Sequence, residues 1–155
     1  MSRRKKAGRR FAVRGSAIHG KGVFALRKIR KGERLIEYAG ERISHAEADQ
    51  RYECGDEAYD PHTFLFTVSD EVVIDATRGG NSSRWINHSC APNCETDEGS
   101  GRVYIEAMRD IRPGEELTYD YQLYLDDPHT PKAKREHPCH CGSKRCRGTL
   151  LKSKR

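Results

Sequence analysis

The stretch "RWINHSCAPNC" (84–94) places amide, imidazole, thiol and indole side chains in eleven positions. A core does not use Asn87 and His88 together, and a solvated loop does not use Trp85 and two cysteines. That mixture fits a metal knuckle, a polar pocket that holds a reactant, or both. Near the carboxyl end, "PCHCGSKRC" sets Cys139, Cys141 and Cys146 in a C-x-C-x4-C arrangement within a Gly- and basic-rich loop. Three thiolates are one short of the tetrahedral set of a structural zinc. Cys90, Cys94, Cys54, His137 and His140 are the candidates for the fourth position. A zinc shared with the 84–94 loop would staple the basic tail onto it.

Two further stretches carry polar chemistry on apolar frames. "IHGKGVFA" (18–25) is a G-x-G turn entering an apolar strand. It lacks the third glycine and the following helix of a dinucleotide fingerprint, and its exposed backbone beside Lys21 suits the carboxylate of a small ligand. "GEELTYDY" (114–121) alternates Tyr119 and Tyr121, which puts both phenols on one face of a strand.

The elements that must position these groups are short and mostly β. "RLIEY" (34–38), "TFLFTV" (63–68), "EVVIDA" (71–76) and "RVYIEAM" (102–108) join β-branched and aromatic residues between Gly or charged turns. A helix is predicted over 44–53, where Ser44 followed by Glu47 forms a capping box. A second short helix starts at Asn81 and runs through "SSRWI". "IRKGERL" (29–35) and "IRPGEEL" (111–117) are one turn written twice, leading to Tyr38 in the first case and to Tyr119 and Tyr121 in the second.

A chain of 155 residues with 35% hydrophobic content fits one domain with a real core. No apolar run approaches the length of a membrane span. The basic start "MSRRKKAGRR" has no apolar stretch of the kind a secretory signal needs, so reduced cysteines are expected, which favours metal ligation over disulfides. The net charge of +6 is uneven. Residues 1–10 and 144–155 each carry six Lys or Arg and no acid; the body between them has 17 basic against 23 acidic residues. Basic ends suit a weak nucleic-acid contact. An acidic body suits a cationic partner such as a lysine-rich peptide.

In order and rough spacing, "GKGVFA", "YAG", "RWINHSCAPNC", "GEELTYDY" and "CHCGSKRC" resemble the SET-domain protein lysine methyltransferases of the trithorax-type branch, with their post-SET zinc tail, in a compact, bacterial-like form. The resemblance implies a mainly β fold: short antiparallel sheets around a knot-like core, few short helices and a zinc-binding tail. It also implies three parts, a basic tail at 1–10, the SET domain at 11–125, and a linker with the post-SET zinc segment at 126–155.

The resemblance further implies the site. Asn87 and His88 match positions that hold S-adenosylmethionine, with Arg84 and Phe64 among the cofactor-binding set. His19, Gly20, Lys21 and Gly22 match the turn against its methionine carboxylate, and His140 a residue that closes over the adenine. Cys90, rather than Cys94, matches the fourth zinc ligand beside Cys139, Cys141 and Cys146. Tyr121 matches the catalytic tyrosine, Tyr119 the position that sets how many methyl groups are added, and Tyr38 with Phe64 the wall of the lysine channel. Relatives often carry Tyr at Phe64 and Phe at Trp85. A sulfonium about 5 Å from the substrate amine, at an effective dielectric near 20, repels the ammonium by roughly 3 kcal/mol. That lowers the amine pKa by about two units from its usual ~10.4. The function implied is methyl transfer to a lysine of a basic, histone-like protein, mainly to the monomethyl state. The alternative is a catalytically silent peptide-binding module of the same fold. Glu53, Asp56, Glu57 and Asp60 form an acidic stretch where the family contacts peptide. The location implied is cytoplasm or nucleoid in a bacterium, and chromatin in a eukaryotic cell.

Overall fold

In the computed structural model, which describes residues 10–18, 20–51, 65–122 and 129–152, the twin turns fold alike. Glu33 N–H donates to Arg30 O at 3.0 Å, and Glu115 N–H to Arg112 O at 3.1 Å. Gly32 and Gly114 stand at φ +85° and +88°, the left-handed region that the third residue of such a turn favours and glycine enters without strain. Ile29 and Ile111, each fully buried just ahead of its turn, pair as an antiparallel bridge with N···O distances of 2.9 and 2.8 Å.

The elements run β1 (Phe11–Gly15), β2 (Lys21–Ala25), β3 (Arg34–Glu37), β4 (Glu41–Ile43), α1 (His45–Arg51), β5 (Leu65–Thr67), β6 (Val73–Asp75), a 3-10 turn (Ser82–Trp85), β7 (Asn87–His88), β8 (Cys94–Gly99), β9 (Arg102–Ala107), β10 (Thr118–Tyr119) and α2 (Pro131–Glu136). They form two compact units. One draws on the described residues of Met1–Glu33, Ile86–Glu95 and Ala107–Arg155, the other on Arg34–Trp85 and Thr96–Glu106.

In the first unit β1 and β2 form an antiparallel hairpin, in register from Phe11↔Ala25 to Gly15↔Lys21. Leu117 N–H donates to Val23 O at 2.7 Å and Ala25 N–H to Glu115 O at 2.8 Å, which joins the hairpin to the chain entering β10. There β10 pairs in parallel with β7, Thr118 opposite Asn87 and Tyr119 opposite His88. Buried Val23, Ala25, Ile86, Leu117 and Leu151 supply apolar packing. Helix α2 starts on a Thr130 cap, whose Oγ1 accepts Ala133 N–H at 3.1 Å, with Pro131 in the first turn. The tail returns over it: Leu150 N–H donates to His137 O at 2.8 Å, and Pro138 bridges Thr149.

In the second unit the sheets are ordered β3-β9-β8 and β4-β6-β5. Along β9 Val103 and Ile105 are buried while Arg102, Tyr104 and Glu106 are not, the two-residue period of "RVYIEA". The three residues of the central strand β6 are all buried, Asp75 included. The Asp75 carboxylate is held by Arg51 Nη1 at 3.3 Å and by Thr77 N–H at 3.0 Å. Half of the expected capping box forms: Ser44 Oγ accepts Glu47 N–H at 3.0 Å, while Glu47 reaches forward to Arg51 Nε at 2.9 Å. Of the helix expected over 44–53, positions 52 and 53 lie outside the described residues. So do positions 63 and 64 of the strand expected over 63–68.

The glycine of "YAG" has a steric reason. A Cβ on Gly40 would lie 2.6 Å from Asp75 O and 2.7 Å from Ile74 Cγ2, on the central strand of its sheet. Gly40→Ala is therefore expected to cost about 1–3 kcal/mol, read as a lower urea midpoint at unchanged slope. An unchanged midpoint would mean that the strand yields freely.

Candidate active site and metal centre

Four thiols meet where the 84–94 loop touches the tail. The Sγ atoms of Cys90, Cys139, Cys141 and Cys146 all lie within 4.8 Å of one another, and Cys90 Sγ is 3.8 Å from Cys139 Sγ. A zinc tetrahedron with Zn–S near 2.3 Å has S···S edges of about 3.8 Å. The donor set and spacing fit a structural zinc. Burial pushes the Cys90 and Cys139 thiols up. Against the same burial penalty, hydrogen bonding with Ser143 and with backbone N–H groups brings Cys141 down to about 5. Of the other candidates for the fourth ligand, Cys94 is 1% exposed in β8, its thiol raised to about 12 by burial. His137 Nδ1 is engaged with Ala133 O at 2.8 Å. His140 is exposed, and Cys54 lies outside the described residues.

A polar cluster is built around Asn87 at the parallel β7–β10 pair. Asn87 Nδ2 lies 2.9 Å from Lys21 O, 2.9 Å from Glu116 Oε1 and 3.2 Å from Ser16 Oγ. The turn before β2 and the Asn-His dipeptide, 66 positions apart, are thereby one site. Gly22 permits this: a Cβ there would lie 1.9 Å from Glu116 Oε1. Gly20, at φ +40°, has open space where a Cβ would stand. This glycine-lined cradle of amide, carbonyl, hydroxyl and carboxylate suits the charged end of a small polar ligand.

The tyrosines stand at the other end of that pair. Tyr119 and Tyr121 have ring centroids 4.8 Å apart, although only Tyr119 lies in the ladder. Tyr121 Oη donates to Ile86 O at 2.5 Å, and its ring meets His88 edge-on at 5.3 Å. Burial lowers His88 to about 4 against the pull of Asp120, so the ring is neutral near pH 7. Its Nδ1 accepts Tyr121 N–H at 3.0 Å, which assigns the proton to Nε2, 3.4 Å from Cys90 Sγ. Asp120, penalised by burial but gripped by Arg147, is held below the usual carboxylate range.

The SET domain family matches residues 20–122. This chain belongs to the SET-domain family. Over 142 residues it is similar to human histone-lysine N-methyltransferase 2B, 44% identical, covering 87% of this chain and 5% of that protein. The trithorax histone-lysine N-methyltransferase of Drosophila virilis is 42% identical, covering 87% and 3%. The H3 lysine-4 specific histone-lysine N-methyltransferase of Schizosaccharomyces pombe is 42% identical over 139 residues, covering 87% and 14%. The chain thus spans a small fraction of the length of these relatives. They agree with the trithorax-type resemblance of the motifs.

Within this SET domain the first unit brings together Gly20, Lys21, Gly22, Asn87, His88, Tyr119, Tyr121 and the four cysteines. Tyr38 and Arg84 belong to the second unit. There Tyr38 is 3% exposed, its ring 5.1 Å from Phe66, and burial together with the charge of Asp75 pushes its phenol up. Arg84 reaches Ala76 O at 3.4 Å and lies over the half-buried Trp85 ring at 4.8 Å. His19, Phe64 and the acidic stretch Glu53, Asp56, Glu57 and Asp60 lie outside the described residues. Ser16, Glu116, Asp120 and Arg147 also belong to the site, and no motif marks them. Glu116 and Asp120 stood inside "GEELTYDY" and carried a signal, since a strand with buried tyrosines has little use for unpaired acids.

Proposed function

We propose that this SET domain transfers a methyl group from S-adenosylmethionine to the ε-amine of a lysine in a basic, histone-like protein. The observation that carries the reading is the Asn87 cluster joined through the β7–β10 pair to Tyr119, and through His88 Nδ1 to Tyr121. S-adenosylmethionine, when bound, supplies a methyl group on a positive sulfur, so the protein needs little acid–base machinery. It needs orientation. Asn87, Lys21, the glycines beside it and His19 hold the amino-acid end of the cofactor; Arg84 and Phe64 are proposed, by resemblance, as further cofactor-binding residues. The His88 imidazole is engaged by Tyr121 and Cys90, which fixes His88 beside the adenine, and exposed His140 closes over that ring. Tyr121 directs its hydroxyl, and Tyr38 lines the way in for the lysine. Cys90, Cys139, Cys141 and Cys146 hold one structural zinc.

The names of the relatives support a histone lysine as the acceptor, and hence work on chromatin. The proposed organisation is a basic tail at 1–10, the SET fold at 11–125, and a linker with the zinc segment at 126–155. In that last segment Lys132, Lys134, Arg135, Lys144, Arg145 and Lys152 are exposed, which supports a weak nucleic-acid contact. Labelled cofactor offered with a panel of histones and basic bacterial proteins tests the substrate class. Label on histones is expected, and label confined to the non-histone proteins would overturn it.

Product state is proposed to depend on Tyr119. A phenol there can hold an ordered water that fills the space a second methyl needs, and a phenyl ring cannot. The expected product is mainly monomethyl-lysine, with Tyr119→Phe shifting it towards di- and trimethyl-lysine in peptide mass spectra. Abundant trimethyl product from the unaltered protein would contradict this, as would an unchanged ratio in the variant.

A further inference from the structure

Tyr121 stands outside the two-residue strand β10, so the ladder does not place it. Two side chains from elsewhere do. The first is His88, whose Nδ1 holds Tyr121 N–H at 3.0 Å while Nε2 faces Cys90 Sγ at 3.4 Å. The second is Arg147, the residue after Cys146. Its backbone N–H donates to Cys90 Sγ at 3.3 Å, and its guanidinium grips Asp120 at 2.7 and 3.2 Å. Asp120 lies between the two tyrosines in sequence, and its Oδ1 also accepts Gln122 N–H at 2.9 Å, fixing the turn that follows Tyr121. Gln122 has φ +49°, a conformation such a side-chain bond helps to hold. Both routes therefore begin at the same sulfur and end on the backbone around Tyr121.

We infer that His88 and the Arg147–Asp120 pair are positioning residues that make the placement of Tyr121 depend on the folded metal centre. The inference rests on the reading of Tyr121 as the residue whose hydroxyl serves the reaction. A metal fixes the Cys90 sulfur, and the fixed point passes to Tyr121 through one side chain, His88, on the first route and through the Arg147–Asp120 pair on the second. The tail then acts on the rate of transfer as well as on cofactor retention. A bidentate Arg–carboxylate pair suits this task because it fixes direction as well as distance. A pair that merely stapled the tail would, when lost, weaken metal or cofactor binding and leave turnover by the loaded protein unchanged.

The test compares Arg147→Met, Asp120→Asn, the double variant and Arg147→Lys in the full chain, each with zinc content measured. Two readouts are taken at saturating zinc: kcat against KM, and the NMR resonance of ring-labelled Tyr121, assigned by its disappearance in Tyr121→Phe. Arg147→Met is expected to move the Tyr121 resonance and to lower kcat about 10- to 100-fold, the scale of a small misplacement. Peptide KM and cofactor Kd stay within about twofold. Arg147→Lys recovers part of the loss, and the double variant is no worse than the poorer single one, as two members of one bridge require. Asp120→Asn, which alters no residue of the 139–147 tail that carries three of the thiols, gives the same reading should Arg147→Met fail to retain zinc. A zinc-loaded Arg147→Met or Asp120→Asn protein with an unmoved resonance and unchanged kcat overturns the inference. A moved resonance with unchanged kcat upholds the positioning and instead removes Tyr121 from the chemistry.

Discussion

Tyr121→Phe is expected to lower turnover by about two orders of magnitude or more while fold, zinc content and cofactor binding persist. The ring contacts do not need the hydroxyl: Tyr119 at 4.8 Å and His88 at 5.3 Å pack on its carbon frame. The backbone does not need it either, because His88 Nδ1 holds the Tyr121 N–H. What disappears is one oriented oxygen, directed by its bond to Ile86 O at 2.5 Å. Ile86 is 1% exposed, so its carbonyl loses a buried partner, at a cost of about 1–3 kcal/mol. A modest fall in melting temperature should therefore accompany the large fall in kcat. Near-normal turnover would take Tyr121 out of the mechanism.

The second large effect is expected at Cys90. A serine hydroxyl is a poor zinc ligand beside a thiolate, and the free energy of closing such a site is free energy of folding the tail. Cys90→Ser should weaken zinc binding by more than about 100-fold, exceeding the usual loss for a group that only supports a ligand. Cofactor binding is expected to weaken with it, since the tail carries His140, the residue proposed to close over the adenine. Cys94→Ser serves as the control: Cys94 lies in β8, outside the four-thiol cluster, and its replacement leaves one zinc per chain. Metal analysis of both variants, purified without chelator, decides the matter. Equal zinc in the two would remove Cys90 from the metal site, and no zinc in the unaltered protein would remove the site itself.

Local signals were the ones the sequence made readable. Ser44, the glycines of the twin turns and the strand alternation of "RVYIEA" each act within a few residues, and each folds as expected. The helix expected from Asn81 through Ile86 is a 3-10 turn over Ser82–Trp85, which Asn81 caps by accepting Ser83 N–H on Oδ1 at 3.0 Å. The three tail cysteines announced a metal by spacing alone, but spacing left five candidates for the fourth ligand. Only the resemblance preferred Cys90. Pairings between distant positions stayed hidden, since no periodicity links Asn87 to Lys21, or Asp120 to Arg147 across 27 positions. The strand expected to carry both tyrosines shrank to Thr118–Tyr119, because the Tyr121 N–H takes a side-chain acceptor instead of a ladder partner. Helix α2 was signalled by Thr130 and Pro131, a cap and first-turn pair that the metal motif beside it overshadowed.

The most direct measurement separates an enzyme from a binding module of the same fold. The intact protein, loaded with zinc and shown by calorimetry to bind S-adenosylmethionine, is incubated with methyl-labelled cofactor and the core histones, and the products are sequenced by tandem mass spectrometry. Label is expected on a lysine ε-amine, chiefly as one methyl group, and is expected to disappear in Tyr121→Phe. Cofactor bound, zinc retained and no lysine of any core histone methylated would contradict this.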